Sequence, residues 1–564
     1  MRRILITVTT IAITVPGIHA QQREAQNTPS SSYSLPTSKL GPAFPKPSQL
    51  QLHPSWLLGQ APLVWKARLL PICTAPLSED KSPTTSMVGS GTSASCTEAA
   101  FADAVGHGGM IRFNCGGPTI IPVTLQITLR TDVNTTIDGG GQITLDGGGK
   151  TRLLYFNHPD WQRNRTVVTL QNIILQNARA NGTPIAPAPA PCSQGVMIDG
   201  GGAAIFMRDG ILHIWNSTFK DNAAADLGPD VAGGAVYNHG SLETMIVGST
   251  FQGNRGSNGG AVGALWGNLS IYNSYFDSNR ATGAGSNTIS GECKVNGGEV
   301  GNGGSGGAVI MDGGEDYAVT VCGSTFKGNV TGSGGLGGAL FRTPDKTAQA
   351  TTIDRSFFSE NSASAGGGAL YFHNSNLTVT ASTFANNTAA IGGALFLDDS
   401  SLNFTNDTVA YNQALSGAGG GIFLTGQGTL RNDTFLTNRA ASNGGAAIAC
   451  LCGLSIDNSL FRGMQAIDEQ SVAVFSGGAP AGSGNLQWPS RRAVCGRSET
   501  ACTNFSDPQL GTLADNGGPT PTAAPDPGSP AIGSGQNCPA TDQRGVPRPA
   551  DGCTAGAVQE AERP

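Results

Sequence analysis

The sequence predicts an all-β solenoid, a parallel β-helix. A two-part phrase recurs from about residue 120 to 465, mostly every 25–27 residues. Gly accounts for 81 of 564 residues and charged residues for only 13%. Between Gly and Asn positions the runs are short and alternate apolar with polar residues. Gly and β-branched residues oppose helix, and a fixed period of this length marks units that bury their apolar faces only by stacking. Each coil would contribute a few short strands and sit about 4.8 Å above the last, so about 12 to 13 coils would extend about 60 Å.

The first half of the phrase is Gly-Gly-Ala and an aliphatic residue: "GGAVYNHG" at 233, "GGAVGALW" at 259, "GGAVIMDG" at 306, "GGALFRTP" at 337, "GGALYFHN" at 367, "GGALFLDD" at 392, "GGGIFLTG" at 419 and "GGAAIACL" at 444. The second half is Ser-Thr-Phe-x-x-Asn or close to it, as at 217, 249, 324, 382 and 433. Gly allows positive-φ corners and Asn tolerates them. The closing Asn of each phrase is expected to stack with its equivalents as a structural ladder. The 47 residues from 259 to 306 hold either a degenerate coil or an insertion.

These paired phrases resemble those of polymorphic outer-membrane proteins and related proteins of the pectin-lyase-like fold. The resemblance implies a right-handed parallel β-helix, with a fold specified and no chemistry. The stretch 96–149 looks like its opening, with 98–105 as a short capping helix over the solenoid end. The tail, 507–553, resembles the choice-of-anchor Q segment of exported bacterial β-helix proteins. "DPQLG", "NGGPT", "GSPAI" at 528–532 and "DQRG" at 542–545 carry that match, while the end departs from the pattern as "CTAGAVQE". The resemblance implies a sorting or capping segment, Pro- and Gly-rich, over 491–564.

The chain begins "MRRILITVTTIAITVPGIHAQQ". Arg2 and Arg3, an apolar run over 4–15 and Ala20 fit a secretory signal over 1–20, because the run is too short to span a bilayer. Residues 21–95 are Pro- and Ser-rich and read as a linker or arm, with an apolar patch at 53–70. The β-helix proper is assigned to 96–490. Export makes disulfides the first reading of the 12 Cys. Sequence-near candidates are Cys96–Cys115, Cys293–Cys322, Cys495–Cys502 and Cys538–Cys553. Cys450-Leu451-Cys452 is too tight for a structural zinc knuckle. The net charge of −6 offers no basic footprint for nucleic acid, and no segment after the signal reads as a membrane span.

Strand side chains alternate faces. Aligned on the first Gly of each phrase, the residue three places on is aliphatic throughout and must face the core. The fourth and sixth then face out. Tyr237, Phe341, Tyr371, Phe396 and Phe423 form an outward aromatic stripe, with His239, Asp312, His373 and Asp398 beside it. Such a stripe suits the apolar faces of sugar rings; the competing expectation is that the 21–95 arm, inserted loops or the tail cover it. The fifth residue faces inward. Arg342 breaks that column, and an unpaired buried Arg is costly, so a locally bent strand with the guanidinium turned out is expected.

No sharp catalytic motif is present. His373 and Asp398 fall on adjacent coils, and with Tyr371 and Arg342 they offer the base and cation of a polysaccharide lyase. Asp312, Glu315 and Asp316 offer oxygen ligands that suit Ca²⁺, although their spacing matches no known calcium loop; no other cofactor is indicated. Two functions follow. The first is a non-catalytic secreted or surface-displayed protein, on the outer membrane or free, acting as an adhesin or carbohydrate-binding passenger for a polysaccharide or cell-surface glycan. The second is a polysaccharide-degrading enzyme, most plausibly a lyase acting on a uronate-containing polymer.

Overall fold

In a computed structural model, residues 72–560 are described apart from short stretches, the longest being 183–197, 286–293, 467–473 and 490–502. The signal, the arm before residue 72 and the 53–70 patch lie outside the described residues. The chain is a right-handed parallel β-helix with three strands per coil. In one representative coil these are Leu370–His373, Asn376–Thr380 and Thr383–Ala385. Each strand pairs in parallel with its equivalent one coil on: Leu370 with Leu395, Leu377 with Leu402, Phe384 with Val409. We call the three resulting faces the first, second and third sheets. A helix, α1 (Glu98–His107), covers the N-terminal end, its Thr97 hydroxyl accepting from the Ala100 N–H. Phe101 and Val105 on α1 are fully buried.

The repeated phrase accounts for the interior. The first Gly of each Gly-Gly-Ala sits at positive φ, from 51° at Gly259 to 72° at Gly419. The second Gly faces the next coil so closely that a Cβ on Gly338 would strike the Gly368 carbonyl. The Phe of each Ser-Thr-Phe points inward, and Phe219, Phe251, Phe276, Phe326 and Phe358 stack at 4.6–4.9 Å between centroids, within 5° of parallel. Behind them runs the expected Asn ladder. From Asn222 through Asn254, Asn279, Asn329, Asn361, Asn387 and Asn412 to Asn438, each side-chain carbonyl accepts from the previous Asn's main-chain and side-chain N–H at 2.9–3.1 Å.

A second ladder is built from the phrase's Ser. The Ser217, Ser249, Ser274, Ser324 and Ser356 N–H groups each donate to the next coil's Ser hydroxyl at 3.1–3.2 Å. Asp407 and Asp433 take over this position on two consecutive coils, accepting from the Ser382 and Asp407 N–H at 2.7 and 2.9 Å. Both are fully buried. Burial pushes both carboxyls well above the usual carboxylate range; the Asp433 charge adds to this at Asp407, while Arg548 works against it at Asp433.

Several expectations need correction. Val262–Leu265 pairs directly with Val309–Asp312, so the long gap is an insertion and not a degenerate coil. At the last Gly-Gly phrase the register runs from Gly445, whose φ of 69° matches the other first glycines. Ile422 therefore pairs with Ile448, Cys450 faces the core, and Leu451 takes the outward position. Cys322 bonds Cys73 and not Cys293. Cys96–Cys115 and Cys538–Cys553 pair as expected, and Cys450 bonds Cys452; Cys495 and Cys502 lie outside the described residues.

The two terminal segments lie along the flanks. Residues 72–85 run beside the second sheet, held by Cys73–Cys322, by Asn273 bridging both main-chain groups of Cys73, and by Asp80 on Gln171 and Thr136. Ser86–Val88, assigned from sequence to the arm, is instead a strand of that sheet paired with Ile111–Phe113. The anchor-like tail does not close the solenoid's end. Leu510, Leu513, Ala523, Ala531 and Ala555 cluster with the third sheet's two outer columns, Phe357 and Leu460 from one and Ala385, Ala410 and Leu436 from the other. Gln543, from the "DQRG" stretch, donates to the Ser382 carbonyl at 3.0 Å and accepts from the Thr408 hydroxyl at 2.6 Å.

Two predictions follow from these contacts. Cys73→Ser opens a covalent loop spanning 249 residues, and by the chain-entropy model should cost about 5 kcal/mol in denaturant unfolding of the oxidised protein. Asp407 and Asp433 bind protons more tightly folded than unfolded. Their contribution is present below the ordinary carboxylate range and is lost as pH rises through the raised folded values. Asp407→Ser with Asp433→Ser restores the hydroxyl ladder, so its unfolding midpoint should exceed the parent's by a margin that widens from about pH 4 upward.

Candidate functional site

The outward columns of the first sheet form where the sequence places them, but the aromatic stripe is not free. Phe341, Tyr371, Phe396 and Phe423 retain 3–7% exposure and Tyr237 none. They form a second apolar layer outside the main core, roofed by Ala232, Leu336 and Ile391 from the segments that precede each Gly-Gly phrase. Gly366 lies so close to the Phe396 ring that a Cβ there would collide with it. Within the layer Tyr371 stacks on Phe341 at 5.2 Å and meets Phe396 edge-on at 5.1 Å. The stripe is thus covered by inserted loop residues, and the exposure expected for a sugar platform is not found. His239 is buried beside Trp266, and burial together with Arg208 lowers its pKa to about 3, so it stays neutral.

Arg342 also differs from expectation. Its strand is regular, pairing with Met311 and Phe372, and its side chain enters the core at 1% exposure. The guanidinium donates to the Tyr317 carbonyl at 2.6 Å and lies 2.8 Å from the Met311 sulfur. Burial lowers its pKa to about 10, which leaves it charged at neutral pH. A residue whose chain direction commits it to the inside cannot neutralise a substrate carboxylate on the outside.

His373 and Asp398 are brought together. They pair in register on adjacent coils, with Nδ1 3.5 Å from Oδ2 and both side chains mostly buried. The Thr425 hydroxyl donates to Asp398 Oδ1 at 3.0 Å and accepts from the Asp399 N–H at 2.7 Å. Of the lyase set, then, one pair assembles, while Tyr371 is packed in the roofed layer and Arg342 is in the core. For calcium, Asp312 accepts from the Gly313 N–H at 2.9 Å and from the Thr343 hydroxyl; Glu315 and Asp316 lie outside the described residues.

One surface was missed in the sequence. On the second sheet, Ser270, Thr320, Thr352, Thr378, Asn403, Thr429 and Ser455 stand in a single column, each in register with the next. Asn376, Ser401 and Gln427 flank it, and with Asn403 and Thr429 they are exposed. Neighbouring rungs join through Ser401 Oγ to Asn376 Oδ1 at 2.7 Å and Thr429 Oγ1 to Asn403 Oδ1 at 3.0 Å. The signal was the outward half of the alternation in "NLTVT", "SLNFT" and "GTLR", which reads in isolation as ordinary solvated strand.

The family described as right-handed beta helix region matches residues 317–461. No curated protein matches the chain by sequence. Among solved structures, the A-module of a mannuronan C-5 epimerase from Azotobacter vinelandii is similar at 11% identity, covering 70% of this chain and 96% of that one, with a TM-score of 0.28. A similarity at that level carries no argument about the site. No helix among the described residues is long and apolar enough to cross a membrane.

If the aromatic layer is structural, truncating it removes buried ring area. Phe396→Ala should lower stability in guanidinium unfolding by about 3–5 kcal/mol, a cost that an exposed binding residue would not show.

Proposed function

We propose that this chain is an exported, non-catalytic β-helix, an adhesin or carbohydrate-binding passenger, whose second-sheet ladder lies against a polysaccharide or cell-surface glycan. The ladder of Thr320, Thr352, Thr378, Asn403, Thr429 and Ser455 carries this reading. It sets short hydroxyl and amide groups at the coil spacing of about 4.8 Å, and two residues along each strand adds a second spacing of about 6.6–6.8 Å. A flat, periodic array of donors and acceptors fits a periodic, hydroxyl-rich polymer better than a compact ligand. The Arg-led apolar N-terminus and the disulfides support export.

Binding of the mature protein to a panel of uronate-containing and neutral polysaccharides tests this. The double variant Asn403→Arg with Thr429→Arg keeps the solenoid and fills the array with long side chains, so affinity should fall at least about tenfold, or about 1.4 kcal/mol. Affinity unchanged in that variant would move the surface elsewhere, and no binding to any polymer would sink the proposal.

The His373–Asp398 pair favours a second reading, a lyase acting on a uronate-containing polymer, with His373 as base. Its cation would have to come from a residue other than Arg342. Unsaturated product absorbing in the near ultraviolet and absent in His373→Ala would replace the first reading with this one.

A further inference from the structure

The corner between the first and second sheets carries one group of side chains that neither reading uses in full. We propose that His373, Asp398 and Asp399 form a site for a divalent transition-metal ion of borderline softness, with Zn²⁺ as the natural probe. One ring nitrogen and one oxygen from each carboxylate all lie within 4.8 Å of one another.

The backbone explains why two consecutive carboxylates share a side. In a regular strand Asp398 and Asp399 would face opposite ways. Here Asp399 adopts φ of 45°, and the pairing with the next coil shifts register between Leu397 and Ser400. This bulge turns both carboxylates outward, where His373 of the preceding coil faces them. Thr425 then fixes Asp398: its hydroxyl engages Oδ1, which leaves Oδ2 directed at His373.

The distances favour an intervening ion over a direct bond. A charged N–H···O contact closes to about 2.7–2.9 Å, whereas Nδ1 and Oδ2 stand 3.5 Å apart. Two ligands each about 2.0–2.2 Å from a tetrahedral ion are separated by about 3.3–3.6 Å. Among the described residues, Asp398 has His373 as its ion-pair partner, and no Lys or Arg pairs with Asp398 or Asp399. A nitrogen ligand disfavours Ca²⁺ and Mg²⁺, which take oxygen, and mixed imidazole–carboxylate sets suit Zn²⁺ and its neighbours. Asp399 is exposed, so the site opens to solvent and keeps a position for water or another ligand. The combination occurs at one level of the corner: in the outward positions two coils either side stand Thr343 and Leu451, with Thr425 between.

The test uses the mature, oxidised chain after chelator treatment. Titration with Zn²⁺ should reach one ion per chain, and Co²⁺ should give visible absorption bands of a tetrahedral site. His373→Gln and Asp398→Asn should each weaken binding by about tenfold or more. His107→Gln, on the exposed C-terminal turn of α1, should leave binding unchanged and serves as the folded control. Absence of Zn²⁺ uptake, or uptake that persists in His373→Gln with unchanged affinity and an unchanged Co²⁺ spectrum, overturns the proposal.

Discussion

Everything in this molecule depends on identical groups meeting across the gap between coils. The Asn ladder is the clearest case. Each buried amide must find partners or cost about 1–3 kcal/mol, and each finds them only if the next coil presents the same residue at the same height. The Phe stack and the Ser ladder impose the same condition on the other corners. One register satisfies all three together, so the fold is specified by agreement among rungs more than by the strength of any one of them.

That constraint explains which parts of the architecture could be read from sequence. The inward columns were legible because burial selects strongly: Val236, Leu340, Leu370 and Leu395 repeat with little variation, and the ladder Asn recurs at the end of each phrase. The errors arose where local sequence competes with the frame. "GGAAIACL" holds one glycine pair, yet the phrase is counted from its second glycine with Ala446 in the second position, and only the positive φ at Gly445 reveals it. Arg342 looked out of place in an inward column, yet the strand does not bend; Tyr317's carbonyl and the Met311 sulfur receive the guanidinium inside. Cys73–Cys322 joins residues 249 apart, and nothing local announces such a pair.

The candidate site was less legible, for a different reason. An outward aromatic is apolar whether it meets a ligand or a loop, so alternation predicts the direction of Tyr371 and Phe396 and is silent on what lies above them. Leu336 and Ile391 sit in the irregular segments before the Gly-Gly phrases, where no periodicity assigns them a place. His373 and Asp398 were correctly brought together because the coil rise alone sets their separation. Asp399 could not be added, since its position on the same side depends on a bulge invisible in the alternation. The polar ladder of the second sheet was hidden by being ordinary: Thr, Ser and Asn are what any solvated strand carries, and only their shared column makes them a surface.

The insertion between Val262–Leu265 and Val309–Asp312 bears on how such a chain changes over time. The strands on either side still pair as if nothing separated them, and both ladders pass the insertion without a break, Asn279 joining Asn329 at the same distances as elsewhere. Length can therefore enter the chain at a corner without disturbing any rung. Within a strand a single added residue would invert every side chain beyond it, unless a bulge absorbs it as between Leu397 and Ser400. The solenoid thus separates its sequence into a part that can vary only by whole coils and a part open to grafts of arbitrary size, and a new peptide or small domain has its point of entry where this one already carries an insertion.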